Sequence, residues 1–249
     1  MTQLPQTSVI LAMSADGKIS DMQRSPARFG SAADLSHLEA QVALADAVLF
    51  GAGTLRAYGT TMSVRSPKLK QQRQRRNQSP QPVQMVCSPS GRLDPKARFF
   101  QQPVPRWLLT TAEGARTWST IGTGLQSAFE KVWVLPGGVE VAASGIAQPA
   151  RVYFGWYEIW RSLAEQGFKR LAVLGGGQLT AALLEAGLVQ EVCLTVCPLI
   201  LGGASAPTPV DGNGFLAVAA PQLKLMSTQR VGNELFLRYR VSAPKQERA

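Results

Sequence analysis

The chain has 249 residues, which suits one large domain or two small ones with a proper hydrophobic core. Hydrophobic residues make up 45% of it and charged residues 17%, values that are ordinary for a globular protein. No apolar run is long enough to cross a bilayer, and the N-terminus has neither a basic segment nor a cleavage-type site. We therefore expect no signal peptide, no membrane association and a cytoplasmic protein.

The first predicted strand, residues 8–13, runs directly into Ser14-Ala-Asp16-Gly17-Lys18. Asp-Gly is a turn pair, so the sequence presents Lys18 just after the end of a strand. The carboxyl ends of strands are where open α/β sheets bind ligands. A plain solvated side chain for Lys18, and a turn-forming role alone for Ser14 and Asp16, remain open alternatives.

Two further predicted strands end in glycine-rich bends of the same design. Residues 47–50, which follow a helix predicted from a Ser31 cap to about position 44, lead into Gly51-Ala-Gly53-Thr54. Residues 171–174 lead into Gly175-Gly176-Gly177-Gln178 and then a helix. Glycine lets the backbone approach a ligand, and the N–H groups at the start of that helix suit a phosphate. A tight packing turn without a ligand is the alternative.

Neither bend carries an established nucleotide-binding motif. A GxGxxG fingerprint would need glycine where this chain has Arg56 or Thr180, and no acidic residue lies about twenty positions after Gly51 to hold a ribose. The P-loop pattern is absent too, because no Gly-Lys-Ser/Thr follows either bend. Two such bends in one sheet would nevertheless bracket an elongated ligand from both sides.

The net charge of +10 is spread unevenly along the chain. Eight basic residues and no acidic one lie between Asp46 and Asp94. Within this region, residues 62–81 are poor in hydrophobic side chains, which predicts a mobile surface insertion. A basic segment can bind nucleic acid or anionic lipid, but no aromatic residue interleaves the basic ones to stack on bases. We therefore do not expect nucleic acid as a partner.

The three cysteines do not suggest a disulfide or a metal site. Cys193 and Cys197 fall on one face of a predicted strand, and the single histidine, His37, is far from them in sequence. We expect them to be small buried side chains, and we expect no metal.

The rest of the chain continues the alternation of strands and helices. Strands are predicted at 82–87, 106–111, 131–135 and 191–198, helices at 112–119 and 157–166, and an irregular stretch at 139–155. Two final strands, 223–231 and 234–241, flank a Gly232-Asn233 hairpin turn. The pattern predicts an α/β protein, a mostly parallel sheet followed by a C-terminal antiparallel hairpin, as a single domain over residues 1–243 with a disordered tail at 244–249.

Four blocks of the sequence, in this order, resemble one known family. They are Ser14-Ala-Asp16-Gly17-Lys18-Ile19, the block 45–57 around the first bend, the block 174–191 around the second bend, and 198–203 ending in Gly202-Gly203. Together they are similar to the reductase domain of bacterial riboflavin biosynthesis, the C-terminal part of the deaminase–reductase RibD. The resemblance covers most of the chain and implies a three-layer, dihydrofolate-reductase-like fold.

The resemblance implies an enzyme that uses NADPH to reduce the ribosyl group of a small phosphorylated substrate, a pyrimidine ribosylamine 5′-phosphate, to a ribityl group. Lys18 matches the family lysine beside the sugar, where it would stabilise or protonate the opened sugar–imine as hydride arrives. Ser14 and Asp16 are assigned to the substrate and Arg65 to its phosphate, which a guanidinium suits. The residues implied for NADPH are Gly51, Gly53, Thr54, Gly175, Gly176, Gly177, Gln178 and Leu179. A homodimer that pairs through a sheet edge is also implied.

Two departures from the family pattern keep the substrate open. Tyr58-Gly59-Thr60 stands where the family has Asp-Asn-Pro, and Gly175 stands where it has glutamate. Losing both acidic residues weakens the case for the riboflavin precursor more than the case for NADPH. The alternatives are a reductase of a different small substrate, such as a pterin or another imine or carbonyl compound, and a non-catalytic relative that binds nucleotides or nucleic acid.

Overall fold

The computed structural model describes residues 3–121, 128–135, 137–140 and 151–242, with no side chains given for 137–140 and 151–154. The tail predicted to be disordered, 244–249, lies outside these residues. The helices are α1 Ala32–Leu44, α2 Ala52–Tyr58, α3 Pro67–Arg75, α4 Ala112–Ile121, α5 Trp156–Glu165 and α6 Gly177–Glu185. None of these helices has the length and apolarity that crossing a membrane requires, as far as the described residues go.

The strands make one large sheet and one small one. They are β1 Gln6–Ser14, β2 Ala47–Gly51, β3 Val83–Cys87, β4 Arg106–Thr110, β5 Lys131–Val134, β6 Gly137–Glu140, β7 Arg151–Phe154, β8 Arg170–Val173, β9 Glu191–Cys197, β10 Gln222–Val231 and β11 Glu234–Ser242. The large sheet has the order β10-β11-β9-β1-β8-β2-β3-β4-β5, and β6 pairs with β7 separately. All pairs from β9 to β5 are parallel, whereas β11 is antiparallel to both β10 and β9. The mostly parallel sheet with a C-terminal antiparallel hairpin is confirmed.

Apolar side chains cover both faces of the large sheet. On one face, Trp160 of α5 and Leu183 of α6 belong to a buried cluster. On the other face, Val42 of α1, Leu55 of α2 and Trp118 of α4 belong to a second cluster. Burying each such side chain contributes about 1.5–3 kcal/mol, so the two clusters fix the helices on opposite sides of the sheet. The three-layer arrangement is therefore confirmed.

Helix α1 begins where the sequence predicts. The Ser31 hydroxyl oxygen accepts from the N–H groups of Ala33 and Asp34 at 3.1 and 3.3 Å. The buried Glu234 carboxylate of β11 in turn accepts from the Ser31 N–H at 2.7 Å and from its hydroxyl at 2.6 Å. A serine cap satisfies N–H groups that have no partner inside the helix, and here a strand distant in sequence holds the cap itself in place.

The basic stretch 62–81, predicted to be a mobile surface insertion, includes a helix with a buried arginine. It contains α3, and Arg73 on that helix is only 1% exposed. The Arg73 guanidinium donates to the carbonyls of Ser79, Ala43 and Ala45 at 2.7, 3.0 and 2.6 Å. Two of these carbonyls lie at the end of α1, where the helix dipole favours a positive charge. An arginine that reads as surface in the sequence therefore anchors the segment to α1, and the mobility of the segment stays a prediction.

A second difference concerns residues 139–155, which were predicted to be irregular. Within the described part of this stretch, β6 and β7 pair antiparallel, with Gly137 opposite Phe154 and Glu140 opposite Arg151. Strand β6 begins with the pair Gly137-Gly138, although repeated glycine is typical of turns. The pairing with β7 comes from outside the local sequence, which is why local turn chemistry misplaces it.

Candidate active site

The two glycine bends lie side by side at the carboxyl edge of the sheet. Because β8 is the neighbour of β2, the Leu174 N–H donates to the Leu49 carbonyl and the Gly51 N–H donates to the Gly175 carbonyl, both at 2.9 Å. The bends therefore continue the strand pairing beyond the ends of both strands. They form one concave backbone surface at the place where parallel sheets bind ligands.

The glycines in these bends serve different purposes. A Cβ on Gly51 would come no closer than 3.7 Å to another group of the protein, and one on Gly176 would lie 3.7 Å from Thr54 Oγ1. A Cβ on Gly177, by contrast, would lie 2.4 Å from the Thr208 carbonyl oxygen. Gly177 is thus required for packing against the loop at 208–211. Gly51 and Gly176 leave room that the protein does not itself fill, which favours a ligand.

Helix α6 begins at the second bend. Its N-cap residue is Gly176, which has no side chain to cap the first turn. The backbone N–H groups at the start of a helix carry partial positive charge and bind phosphate readily. The start of α6 therefore adds a phosphate-binding feature to the space that Gly51 and Gly176 leave open.

Both bends open into a cavity of about 1670 Å³. Most of the predicted site residues line it, namely Gly51, Gly53, Thr54, Arg65, Gly176, Gly177, Gln178 and Leu179. Four predicted residues are not among the described residues of its wall, namely Ser14, Asp16, Lys18 and Gly175. Gly175 instead lies in the bend with a φ of +81°, a conformation that favours glycine. The structure thus brings the two predicted glycine bends and Arg65 to one cavity.

Ser14 and Asp16 hold the turn that carries Lys18. The fully buried Ser14 hydroxyl donates to Asp16 at 2.6 Å and accepts from the Lys18 N–H at 2.9 Å. Asp16 also accepts from the N–H groups of Leu201 and Gly202 at 3.1 and 2.7 Å. The Ser14 hydroxyl, followed by these backbone N–H groups, lowers the pKa of Asp16 to about 2. This geometry makes Ser14 and Asp16 supports of the turn, and their contact with substrate stays a prediction.

Lys18 borders the cavity without lining it. Its backbone is fixed by Ser14, whose N–H donates to the Lys18 carbonyl at 2.8 Å. The next two residues, Ile19 and Ser20, are part of the cavity wall. The catalytic role of Lys18 therefore stays a prediction, with a rigid backbone beside the cavity in its favour.

Several arginines on one side of the cavity make it suited to anions. Arg65 lines it, and the N–H groups of Arg65 and Ser66 donate to the Glu39 carboxylate at 2.6 and 2.7 Å. Arg24, Arg28 and Arg56 line it as well. Neither Arg24 nor Arg28 was predicted as a site residue, because both lie in a polar loop that carries no recognisable motif.

Asp34 in the first turn of α1 is the acidic residue on this side of the cavity. Its carboxylate lies against the Gly30 backbone, so close that a Cβ on Gly30 would be 2.3 Å from Asp34 Oδ2. The buried Thr195 of β9 lies near it in the sheet and favours its ionised form. Burial, reinforced by the nearby Glu234 carboxylate, raises the pKa of Asp34. In the sequence Asp34 is three residues after the Ser31 cap, where an acidic residue usually supports the helix N-terminus, so it was not singled out.

Tyr58 connects two segments of the chain beside this site. Its hydroxyl donates to the Ala27 carbonyl at 2.9 Å, which ties the end of α2 to the loop before α1. Burial raises the pKa of Tyr58, so the phenol stays neutral and keeps its proton for this hydrogen bond. Tyr58 therefore forms part of the cavity wall, at the position where the family pattern has an aspartate.

The sequence and the fold are similar to those of known proteins. A family model described as the RibD C-terminal domain matches residues 6–237. The chain is 30% identical over 228 residues to the 2,5-diamino-6-ribosylamino-4(3H)-pyrimidinone 5′-phosphate reductase of Archaeoglobus fulgidus, a match that covers 92% of this chain and 94% of that protein.

Two solved structures are also similar. A pyrimidine reductase-like protein from Corynebacterium diphtheriae superposes with a TM-score of 0.74 at 22% identity, covering 96% of this chain and 92% of the other. A diaminohydroxyphosphoribosylaminopyrimidine deaminase/5-amino-6-(5-phosphoribosylamino)uracil reductase from Thermotoga maritima superposes with a TM-score of 0.70 at 19% identity, covering 96% of this chain and 57% of that one. At these identities the likeness shows a shared fold.

Proposed function

The chain belongs to the RibD C-terminal domain family, and we propose that it is a riboflavin-biosynthesis reductase that uses NADPH to convert a pyrimidine ribosylamine 5′-phosphate to the ribitylamine. The observation that carries this proposal is the hydrogen bond from the Gly51 N–H to the Gly175 carbonyl at 2.9 Å. It joins the two bends into one backbone surface that borders a cavity large enough for two ligands. Had the bends lain far apart, they could not hold one dinucleotide between them.

The residues present fit the cofactor. Gly51 and Gly176 leave a space that a Cβ would enter without touching the protein closely, and α6 starts there without a side-chain cap. We assign the cofactor phosphates to the backbone N–H groups at the start of α6 and to Gly53, Thr54 and Gln178. When bound, NADPH supplies the hydride that the sugar–imine carbon receives.

The chain's own side chains would handle the substrate. Arg65 is the proposed ligand of the 5′-phosphate, because its guanidinium can form two parallel hydrogen bonds with phosphate oxygens. Its backbone is fixed by Glu39, which restricts where that guanidinium can reach. The Lys18 ammonium would hold a proton at the imine nitrogen, where charge changes as the carbon is reduced.

A direct assay tests the proposal. Purified protein is mixed with the ribosylamino form of either the diaminopyrimidinone or the uracil 5′-phosphate, and oxidation of NADPH and NADH is followed by absorbance. We expect substrate-dependent oxidation of NADPH, with the ribityl product identified by mass spectrometry. An inactive protein that also gives no thermal shift with near-millimolar NADPH would refute the reductase assignment and leave the non-catalytic alternative.

We also propose that the chain forms a homodimer through the edge of its large sheet. β10 is the edge strand, and nearly every residue on it is exposed. Its apolar side chains are exposed too, with Leu223 at 47% and Leu225 at 51%. Unpaired strand edges with apolar side chains attract further strands, so a second copy is a suitable partner. A monomeric mass by light scattering at micromolar concentration would contradict this proposal.

A further inference from the structure

Apolar side chains and one carboxylate line the part of the cavity next to α1. The apolar side chains are those of Ile10, Ala12, Leu35 and Leu38. The carboxylate is that of Asp34, on the same helix as Leu35 and Leu38. Apolar walls with a small number of polar groups are the usual form of a site for a flat heterocycle.

Two neighbours define the surroundings of Asp34 at this wall. The buried Thr195 of β9 lies near the carboxylate and favours its ionised form, and Thr195 is the register partner of Ala12 on β1, which lines the cavity. Gly30 lies on another side, where an added Cβ would collide with Asp34 Oδ2. The Glu234 carboxylate nearby already accepts two hydrogen bonds from Ser31. The Asp34 carboxylate, which lines the cavity, therefore has lone pairs for a ligand.

The two pyrimidines named for similar proteins differ at one position that a carboxylate can distinguish. In the diaminopyrimidinone, the ring carbon between the two nitrogens bears an amino group, which lies beside a ring N–H. Together they offer two parallel donors, the pattern that an ionised carboxylate accepts with both oxygens. In the uracil form a carbonyl replaces that amino group, so the edge offers one donor and one acceptor, and the carbonyl oxygen would face a carboxylate oxygen.

We propose that Asp34 binds this edge of the pyrimidine ring and makes the enzyme selective for the diaminopyrimidinone over the uracil form. The inference rests on the proposed function, since it names the substrate within that class. A hydrogen bond to a charged group contributes about 1.5–3 kcal/mol, so losing one predicts a preference of roughly 10- to 150-fold. The enzyme would then act before any deamination of the ring.

The test compares the two ribosylamino substrates by kcat/KM and the two ribitylamino products by calorimetric binding. We expect the wild-type protein to prefer the diaminopyrimidinone at least tenfold in both measurements. The Asp34→Asn variant keeps the shape of the side chain but offers one donor and one acceptor, which match the uracil edge. It should lose or reverse the preference. Asp34→Ser, which withdraws both oxygens from the ring, should bind the two products equally.

Asp94→Asn is the matched control. Asp94 is exposed outside the cavity and accepts only a local hydrogen bond from the Lys96 N–H at 2.9 Å, so the same loss of charge should leave the preference unchanged. A wild-type preference for uracil, or an Asp34→Asn variant that affects both compounds equally, would overturn the inference. A protein that reduces neither substrate but binds the diamino product through Asp34 would refute the proposed function alone. If neither product binds, both proposals fail.

Discussion

Replacing Gly51 with alanine tests the space between the two bends directly. The backbone of Gly51 has φ −79° and ψ 156°, a conformation that alanine adopts without strain. The added Cβ would lie 3.7 Å from the Gly176 nitrogen, an ordinary contact. Because alanine has fewer unfolded conformations than glycine, the fold should be unaffected or more stable by about 0.4–1 kcal/mol.

Cofactor binding should respond in the opposite direction. The methyl group would occupy the space from which a phosphate reaches the N–H groups of the bend, so at least one charge-assisted hydrogen bond should be lost. Such a bond contributes about 1.5–3 kcal/mol, which corresponds to a 10- to 150-fold weaker NADPH affinity. Fluorescence titration with NADPH gives the affinity, and thermal unfolding without ligand gives the stability.

The Gly177→Ala variant provides the contrast. Its Cβ would lie 2.4 Å from the Thr208 carbonyl oxygen, so this variant should lose stability even without ligand. An added methyl group thus has different expected effects in the two bends: weaker cofactor binding at Gly51 and lower stability at Gly177. If Gly51→Ala binds NADPH as tightly as the wild-type protein, the cofactor does not approach this backbone, and our assignment of the bends is wrong.

Three further predictions concern residues around the site. Lys18→Ala should nearly abolish turnover with little loss of NADPH affinity, and single-turnover kinetics that match the wild type would remove Lys18 from the mechanism. Arg73→Met removes three guanidinium hydrogen bonds, two of them to the carbonyls of the buried residues Ala43 and Ala45, and should lower the free energy of unfolding by about 3 kcal/mol and Tm by roughly 6–12 °C, whereas Arg75→Met, exposed on the same helix, should change neither noticeably. The folded-state pKa of Asp16 lies below the ordinary value, at about 2 against 3.8, so its stabilising effect is complete above the ordinary pKa and is lost as the pH falls toward 2. The Tm difference between wild type and Asp16→Asn should therefore be present at neutral pH and shrink below about pH 4, and a difference that is constant with pH would contradict this.

Local sequence patterns predicted the parts of the fold that local chemistry determines. Apolar runs gave the buried strands, Ser31 gave the start of α1, and Gly232-Asn233 gave the final hairpin. The glycine bends were recognised because glycine is seldom repeated without a backbone reason. The hydrogen bond between Gly51 and Gly175 could be expected only as a consequence of the parallel sheet, because the sequence of one bend contains no information about its distance from the other.

The features that local patterns did not show share a cause, which is that a side chain's partner lay far away in the chain. Arg73 reads as surface charge until the carbonyls of Ala43 and Ala45 are known to accept its hydrogen bonds. The hydrogen bonds of Asp16 to the N–H groups of residues 201 and 202 could not be expected from its own turn. Asp34 reads as a helix-start residue until β9 and the cavity are placed beside it. Propensity and spacing carry no record of such tertiary partners.

The position of β8 has a consequence for how the chain is made. β8 is inserted between β1 and β2, although it is synthesised long after both. Until Val173 leaves the ribosome, β1 and β2 each lack the strand that lies between them, so the edges that face β8 have unpaired N–H and carbonyl groups. Pairings of such long sequence separation form slowly and expose nascent chains to aggregation. A fragment that ends upstream of β8 therefore lacks the strand that joins β1 to β2. We expect that such an N-terminal fragment does not fold by itself.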